Sequence, residues 1–80
     1  MKIKTGRDYL CVNNCVVRVD IIRNEAWGIQ GLFLSGPTKG KYDTWSEDRY
    51  PYIISHDPEL EGFSLTDVEV TLEDNPEYYL

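Results

Sequence analysis

Apolar and polar residues alternate with a period of two through the longest patterned stretch, residues 15–34 (CVVRVDIIRNEAWGIQGLFL). Cys15, Val17, Val19 and Ile21 fall on one side and Arg18 and Asp20 on the other, as a half-buried strand requires. Asn24-Glu25 interrupts the apolar run, and Trp27, Ile29 and Phe33 resume a similar alternation. Val, Ile, Trp and Phe suit a pleated, half-buried surface, so the spacing predicts two long strands joined by a short polar turn. No stretch keeps helical periodicity over three turns. At most one short 3₁₀ turn is expected, near residues 64–67.

Shorter elements flank this hairpin. Lys2 to Thr5 reads as a lead-in or first edge strand, and Tyr9-Leu10-Cys11-Val12 as a strand ended by Asn13-Asn14, residues that tolerate turn conformations. A polar loop, GPTKGK, follows the second long strand. Tyr42-Asp43-Thr44-Trp45 is a short strand and Ser46-Glu47-Asp48 a turn. Tyr50-Pro51-Tyr52-Ile53-Ile54 is extended, and Pro51 fits an edge because it cannot donate to a ladder. A closing strand is expected with Val68, Val70 and Leu72 inward. Residues 1–72 thus form one domain, and residues 73–80 a frayed or loosely docked tail. The fold class is all-β, with five or six short antiparallel strands. A small closed barrel is the economical arrangement, since closure removes exposed edges; a curled α+β arrangement is the alternative.

Size and composition narrow the function classes. A chain of 80 residues buries only about 60% of its unfolded surface, which leaves room for one core and no deep pocket. No apolar run approaches the roughly 20 residues that cross a bilayer. The first ten residues lack the apolar centre of a secretory signal, so a cytoplasmic location is expected.

Charge changes the picture most. Residues 1–42 carry seven Lys/Arg against three acids, a net of +4, and residues 43–80 carry only Arg49 against eleven acids, a net of −10. An acidic half of this kind opposes phosphate polymers and favours basic partners. The basic half (Lys2, Lys4, Arg7, Arg18, Arg23, Lys39, Lys41) is a weaker candidate for nucleic-acid contact, because the acidic half repels the same polymer.

Cys11 and Cys15 read as reduced, partly buried thiols. A three-residue loop (Val12-Asn13-Asn14) sets them opposite each other, whereas a two-residue Asn13-Asn14 turn sends them to opposite faces. C-x3-C with a single histidine, His56, does not make a zinc site. No metal or other cofactor is expected.

Strand order over most of residues 5–72 resembles an SH3-like barrel of the Tudor or KOW type. It has an early Gly6, two longer strands joined by a short turn, and a final strand after a tight turn (SLTDVEV). The Tyr50-Pro51-Tyr52 stretch leading to Asp67-Val68-Glu69 is also similar to small bacteriophage or prophage proteins. The ALYDY-like run and tandem Trp of peptide-binding SH3 domains are absent, so the resemblance implies no particular binding residue.

Catalysis is not expected. His56-Asp57 with Ser55 or Ser64 lacks a nucleophile elbow and an oxyanion loop, and GPTKGK lacks phosphate-loop spacing. Binding is the expected function. Of the aromatic group Trp27, Tyr42, Trp45, Tyr50 and Tyr52, three (Tyr42, Trp45 and Tyr50) stand among Asp43, Glu47 and Asp48, and rings beside carboxylates attract cations. The candidate surface is Tyr42, Asp43, Trp45, Glu47, Asp48, Tyr50, Tyr52, Asp57, Glu59 and Glu61. Trp45, flanked by polar Thr44 and Ser46, is the ring expected at the surface. The leading expectation is a phage-type module that docks these ten residues on a basic, nucleic-acid-handling protein and inhibits it, in the manner of an anti-defence or anti-CRISPR protein. A Tudor-like reader of a peptide or small cationic ligand in an aromatic notch is the alternative. An assembly protein that associates through a strand edge is the third.

Overall fold

The computed structural model describes residues 3–52 and 62–80. Five antiparallel strands form one sheet: β1 (Asp8–Cys11), β2 (Val16–Ile22), β3 (Ile29–Phe33), β4 (Tyr42–Trp45) and β5 (Leu65–Val70). Their order is β4-β3-β2-β1-β5. Four strands meander in sequence, and the fifth returns to lie beside the first. The sheet is open, so the expected closed barrel is not formed by strand pairing. Among the described residues, separate contacts link the β4 and β5 ends of the sheet. The Leu65 N–H donates to the Arg49 carbonyl (2.9 Å), Arg49 Nη1 donates to Asp67 Oδ1, and Trp45 Nε1 donates to the Phe63 carbonyl (2.9 Å). Arg49 holds a left-handed backbone (φ 73°), which most side chains avoid.

The β1–β2 register (Tyr9 opposite Val17, Leu10 opposite Val16) continues into a Cys11 N–H to Cys15 carbonyl bond of 2.8 Å, so the loop has three residues, 12–14. Of the two turns compatible with the sequence, this one places both free cysteines in the same buried cluster.

An extra residue shifts the β2–β3 register between Val19 and Ile21, which makes Asp20 a bulge. A bulge moves the side chains beyond it to the other face. Ile22, opposite Ile29, therefore packs on the main cluster in place of the expected Ile21, and Trp27 falls in the turn rather than in the strand. A second irregularity lies between Tyr9 and Cys11 on β1 and Glu69 and Leu65 on β5. There the Thr66 hydroxyl donates to the Leu10 carbonyl (2.7 Å) and fills the gap in the ladder. Val70 is buried as expected, but Val68, within the irregularity, is 55% exposed and Leu72, beyond the end of β5, is 63% exposed, contrary to the alternation expected of them.

Both faces of the sheet are covered around β1. The main cluster includes Ile3, Tyr9, Val17, Val19, Ile29, Phe33, Trp45 and Leu65. The second, on the opposite face, is Leu10, Val16 and Val70, against which Leu34, Tyr78 and Tyr79 pack. Two-sided cover explains why β1 is buried along its whole length. Residues 65–67 belong to β5, and among the described residues 3₁₀ geometry falls just before it, at Gly62-Phe63, at Tyr52, and as a full turn at Pro76–Tyr79. Of the two states expected for this tail, frayed or loosely docked, the packing of Tyr78 and Tyr79 on the second cluster fits the docked one. Buried Asp8 accepts hydrogen bonds from the Arg18 guanidinium (2.8 and 3.1 Å) and from the Tyr79 hydroxyl.

Burial first, and then the bond to Asp8, pushes the Tyr79 phenol above its ordinary value of 10.0. Burial, with smaller effects of Cys15 and Asp43, pushes the Cys11 thiol above 9.0. Groups raised on folding stabilise the fold fully below their unfolded values and lose that contribution as pH rises beyond them. Denaturation midpoints should hold to about pH 9 and then fall, and Tyr79→Phe should flatten the part above about pH 10. A midpoint that stays constant to about pH 10.5 contradicts both assignments.

Candidate functional site

One end of the sheet gathers the turn at residues 23–28 and the segment that follows β4. The first turn is tight. The Arg23 N–H donates to the Gly28 carbonyl (2.8 Å), and a Cβ on Gly28 would lie 2.0 Å from the Arg23 carbonyl oxygen, so only glycine fits. The second segment turns at residues 46–49, where the Arg49 N–H donates to the Ser46 carbonyl (2.8 Å). It then folds back on β4. Ser46 N–H donates to the Tyr50 carbonyl (2.9 Å), and Pro51 bridges Trp45.

Pro51 is buried against the edge, so its neighbours Tyr50 (56% exposed) and Tyr52 (58% exposed) both point to solvent. Trp27, half-buried, meets Tyr52 edge to face, with ring centroids 5.3 Å apart and an interplanar angle of 83°. Contacts of this geometry contribute about 0.5–1.5 kcal/mol beyond area burial. They tie the two segments together. Glu25, Glu47 and Asp48 are exposed on the same two segments. Between the two turns lies a shallow cavity of about 300 Å³, lined by Ile22, Arg23, Asn24, Glu25, Gly28, Ile29 and Glu47.

The ten residues expected to form a binding surface separate into groups. Glu47, Asp48, Tyr50 and Tyr52 are exposed and contiguous in the chain. Trp45 is fully buried, which corrects its placement at the surface. Its indole packs on Phe33 (centroids 5.5 Å apart), and its N–H is satisfied by Phe63. Asp43 shares the face of Trp45, half-buried, with Oδ1 accepting from the Thr44 N–H (2.7 Å) and its charge felt by Cys11. Tyr42 is exposed but sits at the far end of β4, opposite Leu32. Asp57, Glu59 and Glu61 lie outside the described residues.

The remaining described acids are spread. Asp67 and Glu69 on β5 pair with Arg49 and Arg7, whereas Glu73, Asp74 and Glu77 follow the chain into its final turn. Glu77 lines a depression with Asn13, Ser35 and Gly36, at the end of the sheet away from Trp27. The cations are divided too, since Arg7, Arg18 and Arg49 are each engaged by a carboxylate. Sequence reasoning assigned Trp27 to a strand and left Glu25 out of the surface. The signal for both was a Trp between Asn24-Glu25 and Gly28, a polar start and a glycine end that mark a loop.

Among the described residues, no group of three or more His, Cys, Asp or Glu is placed to hold a metal ion, and no helix is long and apolar enough to cross a membrane. Comparison of the chain with protein-family models, with curated proteins and with solved structures gives no match.

Proposed function

We propose that this protein is a non-enzymatic binding module that presents the end formed by residues 23–28 and 46–52 to a basic surface on another protein. The observation that carries the reading is that exposed Tyr50 and Tyr52, the Trp27 ring packed on Tyr52, and exposed Glu25, Glu47 and Asp48 all lie on these two segments. Tyr and Trp are favoured anchors of protein interfaces, and carboxylates that form no ion pair among the described residues steer a cationic partner. The strand order, four strands in a meander with the last beside the first, supports an SH3-like arrangement in which the segment after β4 does the covering that a closing ladder would do.

The partner in this reading is a nucleic-acid-handling protein of the cytoplasm. Its basic surface is built for phosphate, and the −10 half of this chain competes for it. Inhibition follows, as an anti-defence or anti-CRISPR protein of a phage would exert it. The aromatic-notch alternative keeps one specific support, the Trp27–Tyr52 pair beside exposed Tyr50. Association through a strand edge has less. Part of the β4 edge is taken by Tyr50 and Pro51, and β5 carries Asp67 and Glu69 in ion pairs, devices that discourage edge pairing.

The test is the affinity for the captured partner as salt is raised. It should fall about tenfold between about 50 and 300 mM, because exposed charges are screened over that range. An affinity unchanged by salt removes the electrostatic part of the proposal. A partner without a basic surface removes the rest.

A further inference from the structure

The cavity between the two turns, a part of the surface proposed above, has a more definite chemistry than the surface as a whole. Its base is aliphatic, from Ile22 and Ile29, and Gly28 contributes no side chain to obstruct it. Its two acids come from different elements: Glu25 from the turn at 23–28 and Glu47 from the turn after β4. Neither forms an ion pair among the described residues, with Arg23 on the same rim or with any other cation. At about 300 Å³ the space is too small for a folded element and large enough for one long side chain.

An apolar floor under a rim of two acids and one arginine, net negative, suits an amphipathic occupant. Such a side chain lays methylenes along the floor and keeps a charged head at the edge. Neutral side chains would leave both carboxylates unused, and an acidic one would be repelled. Of the two cationic side chains, arginine presents several donors in a planar fork that can serve two carboxylates at once, and it is the more weakly hydrated.

We propose that this groove receives an arginine side chain from a basic segment of the partner, held between Glu25 and Glu47 over Ile22 and Ile29. The inference rests on the functional reading above and narrows it to one residue type at one place.

A hexa-arginine peptide titrated into the isotopically labelled protein tests it by NMR. Amide shifts should concentrate at Ile22, Gly28, Ile29 and Glu47. Glu47→Gln should weaken binding about threefold, the measure of one exposed ion pair, whereas Glu73→Gln, an equal charge change in the tail, should leave it unaltered. Hexa-lysine should bind more weakly than hexa-arginine. Shifts elsewhere with none at 22–29, equal weakening by Glu73→Gln, or equal binding of hexa-lysine each overturn the assignment of an arginine to this groove. The wider docking proposal is judged separately, by whether Tyr50→Ala and Tyr52→Ala release the captured partner.

Discussion

Trp45→Ala should leave a protein that is largely unfolded, or that unfolds at a small fraction of the wild-type denaturant midpoint. Trp45 is fully buried, stacks at a tilt on Phe33, and donates its indole N–H to the Phe63 carbonyl at 2.9 Å. Truncating such a ring costs about 3–5 kcal/mol. The loss also leaves the Phe63 carbonyl without this donor, a further penalty of about 1–3 kcal/mol if it stays dry. Small domains have only about 5–15 kcal/mol in total and the shortest chains least. Trp45→Phe keeps most of the ring and should retain the fold with a reduced midpoint. Urea titrations followed by circular dichroism distinguish the outcomes, and a wild-type midpoint for Trp45→Ala would contradict the buried placement.

Gly31→Ala should be the most damaging single-methyl addition in the sheet. A Cβ at Gly31 would stand 2.5 Å from Val17 Cγ1, 2.9 Å from the Arg18 carbonyl oxygen and 3.4 Å from the Trp45 ring. Val17 is itself fully buried and has no space into which to retreat. The carbonyl belongs to the neighbouring strand, so relief needs movement of backbone, at about 1–3 kcal/mol. Adding Val17→Ala removes one of the contacts but not the carbonyl, and should rescue the variant only in part. Unchanged stability of Gly31→Ala, or full rescue by the second substitution, would show that the β2–β3 spacing is looser than the structure has it.

The strands were legible because their alternation is a direct consequence of pleating. Val17, Val19, Ile29 and Phe33 are where the period of two puts them. What periodicity does not carry is a change of register. The bulge at Asp20 and the irregularity opposite Leu10 leave no mark in composition, yet they decide which of Ile21 and Ile22 packs inward and why Val68 faces out. Trp45 was misplaced by a reading of its neighbours. Polar Thr44 and Ser46 on either side are what an inward-facing strand residue shows, so they mark burial of Trp45 rather than its exposure.

The docked tail depends on a partnership between Asp8, Arg18 and Tyr79, up to 71 residues apart in sequence. No local pattern announces such a contact. The site was half legible for the same reason. Glu47, Asp48, Tyr50 and Tyr52 are neighbours in sequence, whereas Trp27 and Glu25 join them only through the fold. Pro51 stands at the β4 edge, as a residue that cannot donate to a ladder should, but meets it through an isolated bridge to Trp45 rather than as part of a strand.

Capture of the partner from native lysate by the wild-type protein and by a Tyr50→Ala/Tyr52→Ala variant, its folding confirmed by circular dichroism, tests the central claim most directly. The account predicts that the wild type retains a basic, nucleic-acid-handling protein and that the doubly substituted chain, still folded, releases it. Equal retention by both would contradict the claim that this end of the sheet is where the protein does its binding.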